Sequence, residues 1–249
     1  MTHVYDKIVS QKRSGKKQIA LLMDPDHMVP DSIISLCGDA ESAGVDYIFV
    51  GGSLLTKGIS DQCVEIVKRS CNIPVVTFPG NSMQIDQNAD AILFLSLISG
   101  RNPDLLIGQH VAAAPIIKQH GLEAIPTGYM LIESGGMTTA LYMSNSMPIP
   151  QHKAEIASCT ALAGEMLGMK LIFMDAGSGA QTPVPPAMIK AVSSAIDVPL
   201  IVGGGIRNPE SAITALRAGA DLIVIGNSIE EDPSLLASVT DAVHSVLSA

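Results

Sequence analysis

Short runs of β-branched and aliphatic residues alternate with longer amphipathic runs about eight times along this chain. Repeated strand-then-helix units pair their strands in parallel, because each helix carries the chain back to the start of the next strand. Eight such units in 249 residues match a (β/α)8 barrel, whereas doubly wound open sheets usually need fewer strands. The expected fold is an α/β TIM barrel, a single domain over residues 1–249. Strands are predicted at Gln18–Asp24, Val45–Gly51, Pro74–Phe78, Asp90–Leu95, Glu123–Thr127, Leu171–Asp175, Pro199–Gly203 and Asp221–Ile225. Helical patterns fall at Asp31–Ala43, Asp61–Ser70, Pro103–His120, His152–Leu167, Pro185–Ile196, Pro209–Ala218 and Pro233–Leu247. Only about a dozen residues, Pro79 to Ala89, separate the third and fourth strands, and Pro79, Gly80 and Asn81 open them with turn chemistry. The third helix is therefore expected to be short or missing.

Composition excludes several function classes. The richest apolar stretch, Ala91 to Ile98, is far short of the roughly 18 residues a membrane span needs. The N-terminus, MTHVYDKIVSQKRSGKK, has no apolar segment of a secretory signal, so a cytoplasmic protein is expected. Cys37, Cys63, Cys71 and Cys159 show no metal-ligand spacing and read as reduced structural thiols. A formal charge of −9 argues against a nucleic-acid partner. An acidic chain still binds a phosphorylated small molecule where backbone N–H groups, helix N-termini or a metal ion supply positive potential.

In a barrel of this kind the site is built at the C-terminal ends of the strands. After strand seven comes Gly203-Gly204-Gly205-Ile206-Arg207-Asn208-Pro209, and after strand eight Gly226-Asn227-Ser228. Glycines let backbone N–H groups approach phosphate oxygens closely, and a following helix N-terminus adds partial positive charge. A phosphate-bearing ligand is the favoured reading over tight turns alone; Arg207 either assists or is a solvated loop residue. Strand six ends Phe173-Met174-Asp175-Ala176-Gly177-Ser178-Gly179, where Asp175 either accepts a substrate proton or caps a loop N–H. Strand one ends Met23-Asp24-Pro25-Asp26-His27, and strand two Gly51-Gly52-Ser53. Carboxylates together with phosphate oxygens are the usual hold on Mg2+. Asp24 is the better metal candidate, Ser53 a neighbour that completes the site, Asp26 equally a helix cap, and His27 a surface residue rather than a ligand.

Taken in order, these motifs resemble the geranylgeranylglyceryl phosphate synthase family, prenyltransferases that join a polyprenyl diphosphate to sn-glycerol 1-phosphate through an ether bond. The resemblance spans nearly the whole chain. It rests on Asp24-Pro25-Asp26, Val50-Gly51-Gly52-Ser53, Phe78-Pro79-Gly80-Asn81, Phe94 to Pro103 (FLSLISGRNP), Pro126-Thr127-Gly128-Tyr129, Ala176-Gly177-Ser178-Gly179, Gly203 to Arg207 and Gly226-Asn227. The position of Asp24 and the PTGY segment look more like the geranylgeranyl branch than the heptaprenyl branch. The resemblance implies that Asp24 and Ser53 hold Mg2+, and that Phe173, Met174, Asp175, Ala176, Gly177, Ser178, Gly179, Gly203, Gly204, Gly226 and Asn227 surround glycerol phosphate. It also implies dimers or hexamers. One departure stands out: the family usually has Tyr-x-Glu before AGSG, and this chain has Phe173 and Asp175, losing a phenolic hydroxyl and a methylene of reach.

The implied mechanism has Asp175 as catalytic base toward the C3 hydroxyl, Mg2+ on the diphosphate leaving group, and an apolar groove for the prenyl tail. The Gly100-Arg101 turn and the Met130-Leu131-Ile132 stretch are candidate groove walls, although a methionine or aliphatic run is more often plain core, and a prenyl substrate suggests peripheral membrane contact. Two alternatives remain at this level: another phosphate-binding barrel, such as an isomerase or synthase of histidine, tryptophan or thiamin biosynthesis, and a lipid- or phosphate-binding barrel that has lost catalysis.

Overall fold

Eight short strands, each rich in Val, Ile and Leu, pair in parallel and in sequence order, and the eighth closes on the first. The computed structural model describes residues 3–54, 56 and 60–247. The strands are β1 Gln18–Met23, β2 Tyr47–Val50, β3 Val75–Thr77, β4 Ala91–Leu97, β5 Glu123–Leu131, β6 Leu171–Asp175, β7 Leu200–Gly203 and β8 Leu222–Ile225. The helices are α1 Val4–Arg13, α2 Pro30–Ala43, α3 Ser60–Ser70, α4 Gln109–His120, α5 Thr139–Ser144, α6 Ala154–Met166, α7 Pro186–Ser193, α8 Pro209–Arg217, α9 Asn227–Glu231 and α10 Leu235–Ser245.

Alternation along the strands splits the core in two. Ala20, Phe49, Val76, Leu93, Ile125, Phe173, Ile201 and Val224 point into the barrel. Ile19, Ile48, Val75, Met130, Met174, Val202 and Ile223 point outward, under the helices. Helix α1 was not anticipated from the sequence. It closes the barrel floor by sending Val4 and Ile8 into the inner core, and Glu123 of β5 accepts from the N–H groups of Val4 (2.7 Å) and Tyr5 (3.1 Å). A carboxylate at a helix N-terminus satisfies donors that have no partner within the helix.

One expected feature and two departures shape the site. None of residues 78–90 is helical, so the barrel wall outside β3 and β4 lacks a helix, as the short spacing predicts. Strand β5 runs four residues beyond its predicted end at Thr127, because β4 also extends to Leu97 and offers it a paired edge through Leu97 and Tyr129. That extension puts Tyr129 on the inner face, in register with Phe173 of β6. The segment before α4 enters as a π-helical turn, Asp104–Gly108, a wider coil than the predicted continuous helix from Pro103.

Candidate functional site

The strand ends and their loops enclose one cavity of about 340 Å³ with two chemically distinct ends. At the polar end, Gly203 and Gly204 follow β7, Ser178 follows β6, and Gly226 and Asn227 follow β8. The loops are tied together: Ser178 Oγ donates to Asn227 Oδ1 at 3.1 Å, and Arg207 Nη2 donates to the Ala180 carbonyl at 2.8 Å. Arg207 therefore braces the loop after β7 against the loop after β6. Gly204 sits at φ +80°, and a Cβ there would lie 2.6 Å from the Gly177 nitrogen, so only glycine allows the two loops to approach this closely. Within 173–179, Phe173, Asp175 and Ser178 line the cavity, whereas Met174 and Ala176 pack in the layer between sheet and helices. Neither lines the cavity: Met174 is paired to β5 and β7, and the Ala176 N–H donates to the Gly203 carbonyl at 3.1 Å.

Asp175 ends β6 with both carboxylate oxygens engaged. Tyr129 O–H donates to Oδ2 at 2.5 Å and the Gly177 N–H donates to Oδ1 at 2.7 Å. Asp175 caps a loop N–H, the second of its two sequence readings, and its side chain also faces the cavity. Burial pushes its carboxyl above the usual carboxylate range, and the bonds from Tyr129 and Gly177 oppose that rise. Burial, reinforced by the Asp175 charge and hydrogen bond, holds the Tyr129 phenol well above its ordinary value. The Tyr129 ring is fixed edge-on by Phe78 at 5.9 Å and Phe173 at 5.5 Å between centroids.

Across the mouth, Asp24 and Ser53 line the same cavity. Asp24 Oδ1 accepts the Asp26 N–H at 3.0 Å, and a Cβ on Gly52 would come within 2.8 Å of Oδ2, so the β2 loop reaches the carboxylate through a glycine. Asp26 does not cap α2, whose N-cap is Val29; its Oδ2 accepts from Thr56 N–H (2.6 Å) and Thr56 O–H (2.8 Å), joining the β1 and β2 loops. His27 is 61 % exposed yet belongs to the cavity mouth, with Nδ1 3.9 Å from Asp24 Oδ2 and 3.7 Å from Glu230 Oε2. Glu230, on α9, escapes sequence reading because a five-residue helix has no periodic signature. Burial raises its carboxyl pKa, His27 opposes the rise, and Asp24 adds to it. Among the described residues, no group of three or more His, Cys, Asp or Glu is arranged to hold a metal ion. Hard oxygen donors beside a glycine-opened cradle nevertheless fit Mg2+ that takes its remaining ligands from water and substrate phosphate.

The second end of the cavity is apolar and occupies the gap left by the absent helix. Ile92 and Phe94 of β4, Ile85 of the β3–β4 loop, and Leu105, Ala113 and Ile117 of the segment ending in α4 form its walls. From His110 to Ile117 this arm runs about 10 Å along α4 at 1.5 Å per residue. His110 is buried, its Nε2 3.2 Å from Ser96 Oγ, and desolvation lowers its pKa, which favours a neutral ring. Of the candidate groove walls, Leu131 lines the cavity, whereas Met130 and Ile132 pack as core outside the barrel, the favoured sequence reading, and Arg101 folds back to donate to the Gly100 carbonyl at 2.7 Å.

Comparison with known proteins brings sequence and shape together. A profile of the PcrB family matches residues 12–247. The geranylgeranylglyceryl phosphate synthase of Chitinophaga pinensis is 53% identical over 241 residues, covering 97% of this chain and 96% of that one. The Thermococcus kodakarensis protein of the same name is 45% identical, with 91% and 90% covered. The crystal structure of (S)-3-O-geranylgeranylglyceryl phosphate synthase from Thermoplasma acidophilum with sn-glycerol-1-phosphate is 33% identical and superposes with a TM-score of 0.92 over 99% and 100% of the chains. The tryptophan synthase alpha chain of Legionella pneumophila, at 14% identity, TM-score 0.62 and 99% of each chain, shares the fold alone.

Proposed function

Because this chain belongs to the PcrB family, and its relatives include geranylgeranylglyceryl phosphate synthases, we propose that it transfers a prenyl group from a polyprenyl diphosphate to sn-glycerol 1-phosphate. The C3 hydroxyl of glycerol phosphate bonds to C1 of the prenyl chain and diphosphate leaves, giving the ether of an ether phospholipid precursor. One observation carries the reading: a single cavity joins a glycine-lined phosphate end to an apolar arm outside the barrel. A barrel that isomerises small phosphorylated sugars or amino-acid precursors has no use for that arm.

Glycerol phosphate is held by backbone N–H groups of the loops at Ser178, Gly204 and Asn227, all of which line the cavity. Asp175 orients the C3 hydroxyl and takes its proton as the ether bond forms. Asp24 and Ser53 are the residues that would hold Mg2+; when bound, the ion neutralises charge on the departing diphosphate. The apolar arm orders the tail and excludes water. Each buried CH2 contributes roughly 0.8 kcal/mol, so a long tail contributes on the order of 10 kcal/mol before ordering costs. Geranylgeranyl diphosphate is the favoured donor. The π-helical turn and the first turn of α4 expose Ile107 (61 %) and Val111 (69 %), four residues apart, which supports self-association as a dimer or hexamer. Four free cysteines support work in the reducing cytoplasm, with peripheral contact where the prenyl substrate partitions into membrane.

The deciding experiment measures product from labelled sn-glycerol 1-phosphate and prenyl diphosphates of increasing length, with and without Mg2+. The expected result is a Mg2+-dependent ether product that peaks at one chain length and is lost in Asp24→Ala, with the unfolding midpoint retained. Saturable binding of both substrates without product from any chain would leave a barrel that binds and does not react, overturning the reading.

A further inference from the structure

We propose that Tyr129 is the positioning residue for Asp175: its phenolic O–H holds the carboxylate in the orientation that receives the glycerol hydroxyl proton. The inference deepens the ether-forming reading and rests on it.

Three observations carry it. Among the described residues, Tyr129 is the one side chain that donates to Asp175, at 2.5 Å. The remaining neighbours are backbone or glycine: the Gly177 N–H on Oδ1, and Gly204, where a Cβ would come within 2.8 Å of Oδ1. Ser178, the nearest hydroxyl on the loop after β6, is committed to Asn227. Second, Tyr129 is itself rigid. Its ring packs edge-on against the stacked pair Phe78 and Phe173, and its backbone lies within β5, paired to β4 and β6. A donor fixed by packing holds a carboxylate rotamer better than a loop hydroxyl does. Third, the register partner of Tyr129 is Phe173, which has no hydroxyl of its own. The polar handle on this side of the barrel thus comes from β5 alone.

The chemistry balances without a further reactant. The glycerol O–H bond breaks and its proton goes to Asp175, the oxygen bonds to prenyl C1, and the C1–O bond breaks with its electron pair leaving on diphosphate. Tyr129 keeps its proton throughout; burial and the adjacent Asp175 charge hold its phenol well above the ordinary range, so it acts as a donor and not as the base. The groups facing Asp175 are Tyr129 from β5, the Gly177 N–H from its own loop, and the glycines after β7, so Tyr129 is the one titratable group among them.

The test compares Tyr129→Phe, Asp175→Asn and the double variant in the full chain. Tyr129→Phe is expected to lower kcat about 100-fold while KM for glycerol phosphate stays within about threefold. The acid limb of its kcat profile moves to higher pH, because Asp175 loses a bond that favours its charged form. If the tyrosine acts through Asp175, the double variant is no slower than Asp175→Asn alone. A readout independent of turnover is the NMR titration of 13C-labelled aspartate, in which the Asp175 carboxyl of Tyr129→Phe titrates at higher pH than in the wild type. Replacing tyrosine by 3-fluorotyrosine keeps the ring and sharpens the donor, and the Asp175 titration then moves to lower pH. Wild-type kcat in Tyr129→Phe, multiplicative losses in the double variant, or an Asp175 titration unmoved by either replacement overturns the assignment. If the wild type makes no ether product, the proposed function fails, while the titration still decides the role of Tyr129.

Discussion

Asp175 is kept at a cost to the fold, since a carboxyl buried at a strand end and raised above its ordinary pKa binds protons more tightly folded than unfolded. Stability linked to it is then lost as pH rises from the ordinary carboxylate range, about 4, through the raised folded value. Asp175→Asn removes the charge and keeps the shape. Its unfolding temperature is expected to exceed that of the wild type at neutral pH, the gap closing as pH falls below about 4. Calorimetry from acid to neutral pH checks this, and a gap that stays constant or reverses would refute the charge as its source. Asp24 and Asp175 are legible in the sequence because a carboxylate that ends an apolar strand run stands at the barrel mouth whichever helix follows. Tyr129 is not. Pro126 and Gly128 punctuate its run as though the strand had ended, and only pairing with a β4 that itself runs on to Leu97 carries the strand past them.

At the scale of elements, the absent helix between β3 and β4 makes room for the apolar arm, and α4 becomes its outer wall. The short spacing from Pro79 to Ala89 makes that absence visible beforehand. Which residues then line the gap depends on how α4 turns about its axis after the π-helical entry, which sequence periodicity does not report. Ala113 sits midway along this wall, nine-tenths buried against Ile92 and Ile117. Ala113→Phe is therefore expected to shorten the arm. With each CH2 contributing roughly 0.8 kcal/mol, excluding three or four of them should cost a twenty-carbon donor more than tenfold in kcat/KM and leave a ten-carbon donor nearly unchanged. Equal losses for both donors would place the tail elsewhere.

Over the whole molecule, stability and function are assigned to opposite ends of the barrel. The floor is sealed by α1 and by charge. Lys17 Nζ, buried, donates to the Ala220 carbonyl at 2.7 Å, and Lys12 reaches Asp221 at 2.9 Å, which joins the first strand region to the last. Ile8, fully buried in the inner core, is expected to lose about 2–4 kcal/mol on truncation to Ala, read by urea denaturation, with KM for glycerol phosphate unmoved. A change in KM of the same order would mean that floor and mouth are coupled. The parallel eightfold barrel, the missing third helix and the glycine and carboxylate loops are all readable along the chain, because they follow from the period of apolar residues and from local turn chemistry. The tertiary structure alone decided that Tyr129 meets Asp175, that Glu230 and His27 stand by Asp24, and that Val4 and Ile8 plug the floor. Those contacts join residues up to two hundred or so positions apart, and such distances are set by strand register and barrel closure, which no local pattern encodes.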